Sequence, residues 1–339
     1  MTYTENYLND LQRVQAAVPH WERLDGSRVL VTGAGGLICS ALVDFLLQRG
    51  GIQVWAAGRN VETLRRRFSR WEGCEMLHFV QYDALQPLDW EENFDYFVHG
   101  ASNANPAAYT AQPVETMMAN ILGLERILRY AKDHGGRVLY VSSSEVYGNK
   151  TGPEPYGETD YGFVDILNPR ACYPSAKRAA ETLCAAYAQE HGVETVIVRP
   201  GHIYGPTATP SDNRASSQFP RDVLAGKDIV MKSAGTQLRS YCYVLDCVSA
   251  LAAVLTAGES GRAYNISNKN SLVTIRQMAQ TFADAAGREL IFEDPTDAER
   301  RGYNLMDNSA LDAAALESLG WRGMFDLEAG VKATLDAML

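Results

Sequence analysis

Apolar residues follow two alternating rhythms along this chain: short solid runs, and longer stretches in which they recur every three or four positions. Solid runs bounded by Gly and polar residues read as strands buried on both faces, and the three-to-four spacing reads as helices. Arg28–Val31, Gln53–Ala57, Leu77–Gln81, Tyr96–His99, Arg137–Ser142 and Glu194–Arg199 are strands on this reading. Helices Ala41–Gln48, Val61–Arg70, Val114–Lys132 and Ser175–His191 come between or after them. Such alternation predicts an α/β fold, a doubly wound parallel sheet of the Rossmann type. After Arg199 the rhythm loosens. Residues 200–240 are rich in Pro, Gly, Ser and Asp; then come a helix Val244–Ala257, a strand Ala263–Ile266 and helices Ile275–Ala286 and Leu327–Met338.

The expected organisation is an N-terminal helical extension over 1–26, its amphipathic helix ended by Pro19, and a core domain over 27–199 to which 241–267 return. A smaller C-terminal substrate-binding lobe is expected from 200–240 and 268–339, over the carboxyl edge of the sheet, where ligands bind in such folds.

Composition narrows the function. Hydrophobic residues make up 46% and charged residues 21%, ordinary for a globular protein. A formal net charge of −10 argues against a nucleic-acid partner held by bulk electrostatics. An anionic ligand is still possible where backbone N–H groups and a few Arg face it. No uninterrupted apolar run reaches the ~20 residues of a membrane helix, and no basic segment followed by an apolar one opens the chain, so no signal peptide is expected. The six cysteines are scattered, with no Cys-x-x-Cys pair and no His at ligand spacing. No metal site is expected, and reduced thiols in the cytoplasm are the simplest reading.

Directly after the first strand runs Thr32-Gly33-Ala34-Gly35-Gly36-Leu37-Ile38-Cys39. A glycine turn between a strand and a helix lets the backbone approach a pyrophosphate at the helix N-terminus. Alone the signal is weak; after the first strand of an alternating pattern it is strong. The second strand, where an acid would hold the ribose of NAD, ends instead in Gly58-Arg59-Asn60. Arg59 suits the phosphate of NADP or a solvated helix start, so NAD and NADP both stay open. Ser142-Ser143-Ser144-Glu145 then stands at a strand end, followed by Tyr173-Pro174-Ser175-Ala176-Lys177. Four residues apart on a helix, Tyr173 and Lys177 share one face. An ammonium and a positive nicotinamide nearby would draw the Tyr173 phenol toward neutrality, leaving a phenolate able to take a proton from an alcohol. Ser143 would hold the same oxygen.

Together these motifs resemble the extended short-chain dehydrogenases of the NAD-dependent epimerase/dehydratase family. Further matching stretches are Asn120-x-x-Gly123, Val198-Arg199-Pro200-Gly201-His202-Ile203-Tyr204-Gly205-Pro206, Arg239 to Asp246, Tyr264-Asn265-Ile266 and Leu319-Gly320-Trp321. In the glycine turn Gly33 and Gly36 match the family's T-G-x-x-G-x-x-G, and Cys39 replaces its last glycine. The resemblance implies that Asp83 and Ala84 face the adenine and that Gly100, Ala101 and Ser102 lie under the nicotinamide half. It implies Asn120 as support for the proton relay, Arg239 as a contact to a substrate diphosphate, and oxidation of a sugar nucleotide at carbon 4 of the sugar. His202 stands where many relatives carry a substrate-binding Asn, open between a ligand contact and a packed loop residue. Lys232 stands near where they place an aromatic residue that stacks on the base.

From a 4-ketone three outcomes are chemically accessible: return of hydride to the other face, loss of water across carbons 5 and 6, or loss of carbon dioxide from a uronate. Members resembling dTDP-glucose 4,6-dehydratase place Asp then Glu after the serine; here Ser144 and Glu145 stand there, so the acid for water loss is missing. The Ser-Glu pair is most similar to UDP-glucuronate decarboxylases, as are Asn168-Pro-Arg-Ala-Cys-Tyr173 and Ala101 to Tyr109. Decarboxylation is the preferred expectation, 4-epimerisation the next and a 4,6-dehydratase-like reaction a third. A cofactor-binding sensor without chemistry is the rival of another class. The late Arg that decarboxylases hold near the carboxylate is sought at Arg300 or Arg301. Relatives dimerise through two helices, here Val114–Lys132 and Ser175–His191, so a homodimer is expected, with Ile121, Leu124, Leu128, Leu183 and Tyr187 as candidate interface positions.

Overall fold

A computed structural model describes residues 4–104, 106–296 and 306–339, without the side chains of 106–108. Seven parallel strands form the central sheet: β1 (Arg28–Thr32), β2 (Gln53–Gly58), β3 (Leu77–Gln81), β4 (Tyr96–His99), β5 (Arg137–Val141), β6 (Thr195–Pro200) and β10 (Ala263–Ile266). Their order is β10-β6-β5-β4-β1-β2-β3. The order reverses beside β1, which pairs with β2 on one side (Thr32↔Ala57) and with β4 on the other (Thr32↔His99). Alternate residues of β1 feed opposite layers. Val29 and Val31 join the core of α2 (Leu37–Arg49) and α8 (Val244–Ala257), while Leu30 joins that of α5 (Pro113–His134) and α6 (Cys172–His191). The fold is the expected α/β Rossmann type, and α8, β10 and the C-terminal helix Leu327–Met338 lie where the periodicity predicts them.

Several details differ from the expectation. Helix α1 (Glu5–Gln15) stops short of Pro19: Ala17 and Val18 donate to the carbonyls of Val14 and Gln15 and tighten its last turn. A residue before proline avoids the helical region, so the helix closes early. Its buried face (Tyr7, Leu11, Val14) packs on α2, α8 and the C-terminal helix. Leu124 and Leu128 face the core of their own chain and are fully buried there, so they offer nothing to a partner. Ile121, Leu183 and Tyr187 stay half-buried.

The stretch 200–240 is more ordered than its composition suggests. It contains β7 (His202–Tyr204), a helix α7 (Ala215–Leu224), β8 (Ile229–Met231) and β9 (Leu238–Tyr243). Strand β9 is the spine of a second sheet, paired in parallel with β7 and with Asn308–Ser309, and antiparallel to Leu272–Thr274. Strand β8 pairs with Leu290–Phe292. Strands this short carry too few residues to show a period, which is why the sequence pattern hides them.

Candidate active site

A single cleft of about 1440 Å³ runs along the carboxyl edge of the sheet, roofed by β7, β8, β9 and the start of α7. That exceeds the ~300–1,000 Å³ of an ordinary one-ligand pocket, so two ligands end to end are the natural occupants.

The first half of the cleft is a backbone cradle. Gly33 takes φ +69°, and a Cβ on it would lie 2.8 Å from the Ala101 nitrogen, so only glycine lets the β1–α2 turn close on the β4 end. Gly36 caps α2, whose first turn carries no acidic residue. Cys39 fills the place of a glycine because its neighbour has none to spare: a Cβ on Gly100 would meet the Cys39 sulfur at 2.3 Å. Gly35, Leu37, Ile38, Asp83, Ala84, Ala101 and Ser102 line the same half, and the buried Ser102 hydroxyl has no partner among the described residues. Arg59 is exposed at the rim. A glycine cradle at a helix start with an unmet hydroxyl beside it fits a dinucleotide. Asn120 is the exception among the expected residues. It is fully buried, donating to the Thr116 carbonyl at 2.7 Å and accepting from the Tyr140 hydroxyl at 3.5 Å, and it does not reach the cleft wall.

Ser143, Ser144, Glu145, Tyr173 and Lys177 meet where the two halves join. The Ser143 hydroxyl accepts from the Glu145 N–H at 3.2 Å and, beside Tyr173, favours its phenolate. Tyr173 is not drawn toward neutrality by the protein alone. Burial pushes its phenol up to about 12, Glu145 adds to this, and Ser143, Arg214 and Arg170 oppose it. Lys177 lies 5.7 Å from the Tyr173 ring centre, donates to the Val141 carbonyl at 2.8 Å, and is itself pushed down to about 7 by burial. Near neutral pH Tyr173 is therefore protonated, while Lys177 is poised between its charged and neutral forms.

Glu145 is held rather than free. Arg170 grips its carboxylate with two hydrogen bonds (3.0 and 3.3 Å), and the Tyr109 hydroxyl adds a third at 3.4 Å. The Arg170 guanidinium also lies over the Tyr109 ring at 4.5 Å, and that ring stacks on Tyr173 at 5.1 Å and 17°. Neither Arg170 nor Tyr109 was singled out from the sequence, although both lie in stretches carrying the family resemblance. Arg214, paired with Asp212 at the start of α7, was hidden in the apparently irregular stretch.

The second half of the cleft is positive. Arg239 is buried, and among the described residues its hydrogen bonds go to carbonyls, those of Leu238 (2.9 Å), Met306 (2.8 Å) and Asp307 (3.5 Å), with burial pushing its proton affinity down. His202 lines the same wall, its Nδ1 unpartnered, and burial together with Arg239 and Arg214 pushes it down to about 3, leaving a neutral imidazole. Lys232 ion-pairs with Glu293 at the far end. Arg300 and Arg301 lie outside the described residues. Among the described residues no cluster of metal-ligating side chains gathers, and no helix is long and apolar enough to cross a membrane.

A dinucleotide cradle that opens onto a Ser–Tyr–Lys set, with a basic pocket beyond, defines a short-chain dehydrogenase type of site that handles a second, anionic ligand. The chain belongs to the NAD dependent epimerase/dehydratase family, whose model matches residues 29–267. It is 32% identical over 316 residues to UDP-glucuronic acid decarboxylase 1 of Xenopus tropicalis, covering 92% of this chain and 72% of the relative. It is likewise 32% identical to UDP-glucuronic acid decarboxylase 6 of Arabidopsis thaliana, covering 90% and 86%. Among solved structures, an epimerase of Methanothermobacter thermautotrophicus superposes with a TM-score of 0.81 at 20% identity, covering 94% of each chain.

Proposed function

We propose that this enzyme oxidises carbon 4 of a sugar nucleotide with a bound nicotinamide dinucleotide, and that its substrate is a UDP-uronate which it decarboxylates. The observation that carries the reading is the meeting of Ser143, Tyr173 and Lys177 in one cleft between the glycine cradle and the buried Arg239, to which no carboxylate is hydrogen-bonded among the described residues. Two decarboxylases as relatives along nine-tenths of the chain support it.

When bound at the glycine cradle, the cofactor would supply a reversible hydride acceptor for carbon 4. Tyr173, as phenolate, takes the hydroxyl proton while Ser143 donates to the forming carbonyl oxygen. The Lys177 ammonium holds a positive charge behind the phenolate. The resulting β-keto acid breaks its bond from carbon 5 to the carboxyl carbon; carbon dioxide leaves and the electron pair delocalises into the 4-ketone as an enolate. Carbon 5 is then protonated, with Ser144 and Glu145 in the wall beside it. Hydride returns to carbon 4, and Tyr173 gives its proton back to the alkoxide. Arg239 and His202 bind the diphosphate end, Arg239 gaining the counter-charge it lacks.

Incubation with UDP-glucuronate, followed by mass analysis, tests the assignment. Loss of one carbon dioxide per turnover is expected; conversion at unchanged mass would replace decarboxylation by 4-epimerisation. Support for a cytoplasmic setting comes from the six unpaired cysteines. Support for a homodimer comes from exposed Val114 and Met118 on α5, beside half-buried Ile121. A monomeric mass in solution at micromolar concentration would overturn that part.

A further inference from the structure

The adenosine end of the cleft differs in charge from the site that the family's name leads one to expect. Strand β2 ends at Gly58, whose missing side chain is covered by Leu64 at 3.3 Å. The next two residues are Arg59 and Asn60, and neither offers a carboxylate. Asn60 is not a substitute acceptor, because its Oδ1 already accepts from the Thr63 N–H at 2.9 Å, capping α3 (Val61–Arg67). Asp83, the acid on this part of the wall, accepts from the Leu85 N–H at 2.9 Å at the end of β3. A ribose 2′-hydroxyl placed off the end of β2 would find no acidic acceptor there among the described residues.

Positive charge is abundant instead. Between Gly58 and Glu72 stand five arginines and one glutamate, on a chain whose net charge is −10. Four of the five are engaged. Arg65 pairs with Glu62 and covers the Phe79 ring, Arg66 donates to the Glu62 carbonyl, Arg67 donates to the Ser40 hydroxyl, and Arg70 covers the Trp71 ring. Arg59 forms no ion pair among the described residues, is exposed, and lines the cleft beside Asn60 and Thr63. A free guanidinium at this point of a dinucleotide fold, where a carboxylate would repel phosphate, is the arrangement that accommodates a 2′-phosphate.

We propose that Arg59 forms a 2′-phosphate subsite, so that the cleft binds NADP at least as tightly as NAD. The inference rests on the dinucleotide reading of the glycine cradle and is independent of the sugar and of the reaction. Loss of the acid removes the repulsion that would exclude a phosphate, and the guanidinium supplies charge-assisted hydrogen bonds to it.

Equilibrium binding of NAD and NADP to the full chain without sugar nucleotide tests this, read by calorimetry for the parent protein and for Arg59→Ala and Arg59→Asp. The parent should bind NADP as tightly as NAD or tighter. Arg59→Ala should weaken NADP by about tenfold while changing NAD little. Arg59→Asp should weaken NADP further and strengthen NAD. Arg59 is exposed and unpaired, so both variants should fold, and thermal melting of each checks it. The proposal is overturned if the parent prefers NAD by tenfold or more, or if Arg59→Ala weakens both cofactors equally. Failure of both cofactors to bind would sink the dinucleotide reading itself, whereas NAD-only binding would sink the Arg59 subsite alone.

Discussion

Two buried arginines, one in the sheet and one in the lobe, are equally hidden from solvent and opposite in meaning. Arg199 on β6 and Arg239 on β9 are each 3% exposed. Arg199 closes on Glu181 of α6 through three hydrogen bonds (3.0, 3.2 and 2.6 Å) and also reaches the Tyr147 hydroxyl and the Glu158 carbonyl. Glu181 in turn accepts from the Ser142 hydroxyl at 2.5 Å, fixing the strand end that presents Ser143. This pair strengthens the charged form of Arg199, while Arg239, hydrogen-bonded to carbonyls alone among the described residues, has its charged form disfavoured by burial, which the charges of Asp307 and Glu145 offset only in part. A buried charge with its counter-ion is architecture; a buried charge without one is waiting for a ligand. Arg199 thus braces the strand end that presents Ser143, while Arg239 is left for the anionic end of the proposed substrate.

Variants can break this contrast, and the largest effect belongs to the junction. Tyr173→Phe removes the proton acceptor and should lower kcat by about 10²–10⁴-fold while leaving cofactor affinity intact, as steady-state rates and calorimetry would show. Glu181→Gln leaves Arg199 buried without its counter-charge and should cost about 3–5 kcal/mol of stability, measured by denaturant unfolding. Arg239→Met should do the reverse: little change in the unfolding midpoint, but a KM for the sugar nucleotide raised by about 10–100-fold, the worth of a hydrogen bond to a charged group. If Arg239→Met unfolds the protein as Glu181→Gln does, the two arginines are alike and the contrast fails.

A smaller effect is expected in the cradle. Gly100→Ala would drive a methyl into the Cys39 sulfur and should destabilise by about 1–3 kcal/mol. Cys39→Ala in the same chain should recover most of that loss, since it removes the clashing atom; a melting curve of the double variant decides. The smallest effect is a shift in pH dependence. If the Tyr173 phenolate is the proton acceptor, kcat should rise with pH and level off above the phenol's value in the loaded enzyme, which a cationic nicotinamide would bring below the value of about 12 that the protein alone sets. Arg170 favours the phenolate and neutralises Glu145, which disfavours it. Arg170→Gln should therefore move the rising limb of the pH–rate profile upward by about one pH unit. A uniformly lower rate with an unmoved limb would reduce Arg170 to a packing residue.

How far these features were legible in advance follows the same division. The sheet half was readable because its strands are long enough to show solid apolar runs and its chemistry sits in local motifs: Gly33 to Cys39, and Tyr173 with Lys177 on one helix face. The lobe was not, since β7 and β8 span three residues each and Arg214 lies in a stretch whose composition reads as loop. The family pattern fixes the position of Asn120 on its helix, not the direction of its side chain, which the Tyr140 hydroxyl and the Thr116 carbonyl draw inward. The Arg170–Glu145–Tyr109 cluster joins three segments distant in sequence, so no spacing rule could have found it. The early stop of α1 is a two-residue matter of turn geometry that Pro19 marks only approximately.

The central claim is that the Tyr173 phenolate removes a sugar proton as hydride leaves the same carbon. It is tested most directly with a sugar nucleotide deuterated at carbon 4, mixed in a single turnover with cofactor-loaded enzyme. The parent should show transient reduced nicotinamide carrying the deuterium, with a primary isotope effect on its appearance, and Tyr173→Phe should show neither at a comparable rate. Deuterium transfer by Tyr173→Phe as fast as by the parent would contradict the account.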